Sequence, residues 1–98
     1  MTLAVRFYRA AREEFTEAAV RYEAQRPDLG VQFIAEIERC LEVAASKPQI
    51  CAPVYKSVRR IVARRFPYIV YFRLEADCII VLSVFHGNRD PVQWRKRT

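Results

Sequence analysis

Residues 58–86 read VRRIVARRFPYIVYFRLEADCIIVLSVFH. β-branched and aromatic residues dominate the stretch, and Pro67 and the Glu75-Ala76-Asp77 triplet punctuate it. Such runs, bounded by turn formers, are the signature of strands. The stretch predicts three strands: Val58–Arg65, Tyr68–Glu75 and Cys78–His86, the last two joined by a tight hairpin. The final run, CIIVLSVFH, is apolar on both faces. A strand of that kind belongs inside a sheet that is covered.

Upstream the period changes. Leu3, Val5 and Phe7 alternate with Thr2, Ala4 and Arg6, which predicts a strand over Leu3–Tyr8. From Ala10 the apolar residues Ala11, Phe15, Ala18, Ala19 and Tyr22 recur at three- and four-residue steps, as on a helix that stops at Pro27. Asp28 suits the N-cap of a second helix, whose stripe is Phe33, Ile34, Ile37, Leu41, Ala44 and Ala45 and which ends before Pro48. Pro48–Ser57 reads as a loop. The order is β-α-α-β-β-β. The expected class is α+β, with a helical hairpin packed on one face of a mostly antiparallel four-stranded sheet, and residues 1–98 forming one domain.

Composition bounds the function. With 52% hydrophobic and 29% charged residues, a disordered or low-complexity chain is excluded. No apolar run reaches the ~18 residues of a membrane span, and no early apolar block is long enough for a signal peptide. A cytoplasmic protein without membrane contact is expected. The net charge of +6 is unevenly spread. Residues 1–46 hold six Arg against eight acidic residues, whereas residues 47–98 hold eleven Lys or Arg against three. A half with a net charge of +8 points to an anionic partner, either nucleic acid or an acidic protein segment.

Candidate site residues follow from that half. With a period of two, Arg60 and Arg64 share one strand face and Arg59 and Arg65 the other. One pair must then lie on the open sheet face or its rim, since unpaired arginines against the helices would be costly. His86, the single histidine, ends the last strand, with Arg89 three residues on. It can transfer protons near neutral pH or serve as a structural hydrogen bonder. Asp90-Pro91 reads as a turn. Beyond it Trp94 is expected to dock on the core, leaving Arg95, Lys96 and Arg97 exposed. Cys40, Cys51 and Cys78 are in no C-x-x-C pair and read as buried thiols, so neither metal nor cofactor is expected.

Several of these features recur together in one family. They are Val58-Arg59-Arg60 before Phe66-Pro67-Tyr68, and His86-Gly87-Asn88-Arg89-Asp90-Pro91 with Trp94 and Arg97 beyond. Phe7-Tyr8-Ala10 leads into a Glu-rich helix, and Leu29-Gly30 with Phe33 opens the second. From about Val5 to Arg97 the chain resembles the RelE/ParE superfamily of type II toxin–antitoxin toxins, sometimes labelled plasmid stabilisation proteins. The resemblance implies a bacterial toxin held in a hetero-oligomer by a cognate antitoxin that carries a DNA-binding domain. It also offers two activities. The RelE-like branch cleaves mRNA on the ribosome, for which His86, Arg60, Arg65 and Arg89 are the candidate catalytic residues. The ParE-like branch inhibits DNA gyrase by binding. After Phe85 there is no tyrosine, position 87 is glycine, and the indole of Trp94 is neither acid nor base. These departures favour the ParE-like branch, with Arg60, Arg64, Arg65, Arg89, Arg95, Lys96 and Arg97 as contacts to target or antitoxin. A non-toxic member that only binds antitoxin is the third possibility.

Overall fold

A computed structural model describes residues 2–87 and 95–97. Strand β1 is Ala4–Phe7, helix α1 Arg9–Gln25 and helix α2 Leu29–Ser46. A 3-10 turn at Pro48–Ile50 leads to β2 (Ala52–Tyr55), β3 (Val58–Val62), β4 (Tyr68–Leu74) and β5 (Cys78–His86). The sheet order is β1-β5-β4-β3-β2. All neighbours are antiparallel except β1 and β5. The α+β class, the helical hairpin and the mostly antiparallel sheet match the sequence-based expectation, and β5 is internal as its two-sided apolarity requires.

Among the described residues the sheet has five strands, however, not four. Part of the expected Pro48–Ser57 loop forms β2, which pairs Ala52 with Arg60 and Tyr55 with Val58. Pro53 disguises this strand, yet a proline is tolerated at a sheet edge, where one row of N–H groups goes unpaired. Lys56 adopts a left-handed conformation (φ 51°) to close the turn into β3.

A second correction concerns β3, which ends at Val62 rather than Arg65. Arg65 lies at φ 69°, and the backbone N–H of Arg64 is taken by the Glu36 carboxylate on α2. The chain has therefore left the sheet before either arginine, and strand alternation does not govern them. A third concerns Asp28, which sits at φ 70° and caps nothing with its side chain. The carboxylate of Glu23 on α1 instead accepts the N–H groups of Asp28 and Gly30.

The helices cover one sheet face. Phe33 is fully buried at the centre, with its ring 5.0–6.0 Å from those of Phe15, Tyr22, Phe66 and Tyr68. Phe66 and Tyr68 of the F-P-Y motif thus serve the core, while the Pro67 carbonyl accepts the Gly87 N–H at 2.7 Å. The opposite sheet face has its own cluster, in which Val58, Leu82 and Phe85 are buried beside Val54, Tyr55, Tyr71 and Ile80. A bulge in β5 at Leu82 lets both Leu82 and Phe85 face this side. Among the described residues no helix is long and apolar enough to cross a membrane.

Candidate functional site

Strand register assigns the arginines of β3 to different faces. Arg59 pairs with Phe72 and turns toward the helices, where it donates to the Cys51 carbonyl at 2.8 Å. Arg60 pairs with Tyr71 on the open face and is exposed. Val62 beside it is 54% exposed, although it is a large apolar residue on a central part of the chain. Arg73, also on this face, meets Glu75 at 3.6 Å. The open face therefore sets the exposed cation of Arg60 beside the exposed apolar side chain of Val62, over a buried cluster of Val58, Leu82 and Phe85.

Arg64 and Arg65 sit elsewhere, beside α2. The Arg65 guanidinium donates to Gln32 at 3.0 Å and lies 5.9 Å above the Phe66 ring. A cleft of about 250 Å³ is lined by both arginines with Gln32, Ala35, Glu36, Arg39 and Phe66. Glu36 anchors it. Paired hydrogen bonds from Arg39 at 2.8 and 2.9 Å, with the Arg64 N–H behind them, hold its carboxyl down at about 2 against the burial that would raise it. Glu36 is thus a fixed anion that shapes the cleft.

His86 occupies a third place. It pairs with Tyr68 at the end of the sheet, on the face covered by helices, and its ring stands 5.5 Å from that of Tyr68. Arg21 donates to the Tyr68 hydroxyl at 3.0 Å. Arg21, Tyr22, Gln25, Tyr68 and His86 line a cleft of about 210 Å³. His86 and Arg60 consequently lie on opposite faces of the sheet, and Arg65 contacts α2 rather than either of them. Arg89, the Asp90-Pro91 turn and Trp94 lie outside the described residues.

The basic tail is only partly exposed. Arg95 and Lys96 face solvent, with the Arg95 guanidinium 4.9 Å over the Tyr55 ring. Arg97 departs from the expected exposure. Its side chain is 18% exposed and forks onto Glu14 of α1 at 2.9 and 3.1 Å, with a further bond to the Leu82 carbonyl at 2.7 Å. Glu14 also accepts from Ser83 Oγ and the Val84 N–H. By residue type Glu14 groups with Arg12, Glu13 and Glu17 on the polar face of α1, yet it stands between Ala11 and Ala18 at three- and four-residue steps, on the inward side of the helix. An acid on an apolar stripe is the signal that marks a buried partner.

The three cysteines are free and buried. Burial pushes the Cys40 thiol up to about 11, which keeps it protonated and unreactive. Among the described residues no three His, Cys, Asp or Glu side chains gather as a metal site would require.

Comparison with known proteins places the chain in a family. The model for the ParE toxin of the type II toxin–antitoxin system parDE matches residues 5–91. Toxin ParE2 of Mycobacterium tuberculosis is 30% identical over 95 residues, covering 93% of this chain and 88% of that protein. Among solved structures, the chromosomal ParDE system from P. aeruginosa superposes with a TM-score of 0.74 at 16% identity, over 87% of this chain and 96% of that one. The RelBE2 toxin–antitoxin complex of Mycobacterium tuberculosis superposes with a TM-score of 0.58 at 20% identity, over 88% and 99%. The chain belongs to the ParE toxin family of type II toxin–antitoxin systems.

Proposed function

We propose that this toxin acts in the cytoplasm by binding and inhibiting DNA gyrase, and that a cognate antitoxin with a DNA-binding domain neutralises it. The observation that carries the non-enzymatic reading is the separation of His86 from Arg60. Cleavage of RNA through its 2′-hydroxyl needs a proton acceptor and cations gathered around one phosphate. Here His86 stands on the helix-covered face while Arg60 stands on the open one. Family membership supports gyrase as the target and an antitoxin as the partner.

The antitoxin surface is the open sheet face. Arg60 and the uncovered Val62 suit an acidic, apolar segment that folds as it binds. Co-expression with the neighbouring open reading frame should then give a stable complex.

A ribosome-dependent nuclease is the second reading. The cleft at His86 supports it, because a proton-transfer group there shares a wall with the cation of Arg21. Inducible expression without antitoxin separates the possibilities. Filamentation with DNA damage indicates gyrase, rapid translation arrest indicates the nuclease, and normal growth indicates a member that only binds antitoxin.

A further inference from the structure

Strand β1 pairs with β5 only from Cys78 to Val81, because the chain turns away at Tyr8 to start α1. Among the described residues, the next part of the β5 edge, from Leu82 to Val84, therefore has no neighbouring strand on that side. Its polar groups are taken up by side chains from two distant parts of the sequence. Glu14 of α1 accepts the Val84 N–H and the Ser83 hydroxyl, and Arg97 of the tail donates to the Leu82 carbonyl. The two side chains then close on each other as a two-pronged ion pair, with 14% and 18% of their side-chain surfaces exposed. A pair this sheltered and this fully hydrogen-bonded is held far more firmly than a surface salt bridge.

The same short tail reaches across the sheet. Arg97 lies 5.5 Å over the Phe85 ring on β5, and Arg95 lies 4.9 Å over the Tyr55 ring on β2. Strands β3 and β4 separate those two, a distance of roughly 14 Å at ordinary strand spacing. Arg95–Arg97 is thus a short turn over the open face whose two guanidinium groups make the strap between β2 and β5, fixed at one end by a carboxylate from α1.

We propose that Glu14 is a positioning residue for the target-binding surface. By clasping Arg97 it holds the strap across the sheet, so that exposed Arg95 and Lys96 are presented to an acidic site on the target as a fixed cationic pair rather than on a loose tail. Preorganisation of this kind raises affinity because binding no longer has to order the segment. The proposal rests on the reading of the protein as an inhibitor that acts by binding, and deepens it.

The clasp and the positioning role are read by separate measurements on Glu14→Gln, Arg97→Gln and Arg97→Lys. Limited trypsin digestion, scored by mass as loss of the residues after Arg95 or Lys96, reads the clasp. Arg97→Gln should speed that loss at least ten-fold, with Arg97→Lys between it and the unaltered protein. Glu14→Gln should behave like Arg97→Gln. If Glu14→Gln does not fold, Arg97→Gln decides, since it alters only the tail side of the pair. Equal rates for the unaltered protein and Arg97→Gln overturn the clasp. Gyrase supercoiling reads the positioning role. The concentration for half inhibition should rise at least five-fold in Glu14→Gln, which keeps every tail cation, and in Arg97→Gln, with Arg97→Lys intermediate. Unchanged potency with a freed tail overturns the role of Glu14. Failure of the unaltered protein to inhibit gyrase at any concentration removes the functional reading instead, and leaves the digestion rates to decide the clasp.

Discussion

Glu23 and Gly30 are locked together in two ways. The Glu23 carboxylate accepts the Gly30 N–H at 3.0 Å, and a Cβ added to Gly30 would stand 2.9 Å from the Glu23 Cβ and 2.6 Å from the Ala19 carbonyl oxygen. The close approach lets α1 supply the N-terminal cap of α2. Glycine is required here by the neighbouring helix, not by its own backbone angles, since its φ is not positive.

Gly30→Ala should therefore destabilise the protein, by about 1–3 kcal/mol, despite the higher helix propensity of alanine. Urea denaturation of both proteins measures the difference. An unchanged or raised midpoint would mean that the helices separate without cost.

A similar cost is expected at the centre of the core. Phe33 contacts four aromatic rings and is fully buried. Phe33→Ala should lose about 3–5 kcal/mol, against a smaller loss for Phe33→Leu. Thermal melts of the two variants test the order.

Stability should also depend on pH through Glu36. Its carboxyl is held at about 2 in the fold, below the ordinary 4.5. Between those values the unfolded chain binds the proton more readily, so stability rises with pH across the window. The contribution is present above about 4.5 and lost as the pH falls toward 2. Glu36→Gln should be less stable at neutral pH, by about 1–3 kcal/mol, with the gap closing toward pH 2. Chemical denaturation at several pH values should show that convergence. A gap that stays constant would place the effect in packing rather than charge.

Much of the fold was legible because periodicity is local. Ala11, Ala18 and Tyr22 on one helix and Phe33, Ile37 and Leu41 on the next recur at helical steps, and Cys78–His86 is apolar on both faces. What escaped depends on contacts across the sequence. Pro53 argues against a strand unless one knows that it lies at the sheet edge. Arg64 and Arg65 continue the pattern of β3, but Glu36, 28 residues earlier, draws the chain out of the sheet at Arg64. Arg97 reads as a solvated cation until Glu14, 83 residues away, is brought beside it. The candidate arginines were visible as residue types. Their division among the open face, the α2 cleft and the strap was not, because strand ends and tail paths are set by tertiary partners.

Antitoxin binding should depend on the open face. Arg60→Glu should weaken the complex at least ten-fold and reduce its sensitivity to salt, because a screened cation would be replaced by a repelling charge. Titration of the purified pair at two ionic strengths measures both effects. Equal affinity for the two toxins would move the antitoxin to another surface.

The mechanism is tested most directly by His86→Ala. One preparation each of the unaltered protein and the variant, both shown to be folded by circular dichroism, would be assayed for inhibition of gyrase supercoiling and for mRNA cleavage on programmed ribosomes. Inhibition by binding predicts that both proteins inhibit gyrase at similar concentrations and that neither cleaves mRNA. Robust cleavage by the unaltered protein, reduced about 10²–10⁴-fold in the variant, would contradict it and make His86 the acid or base of a nuclease.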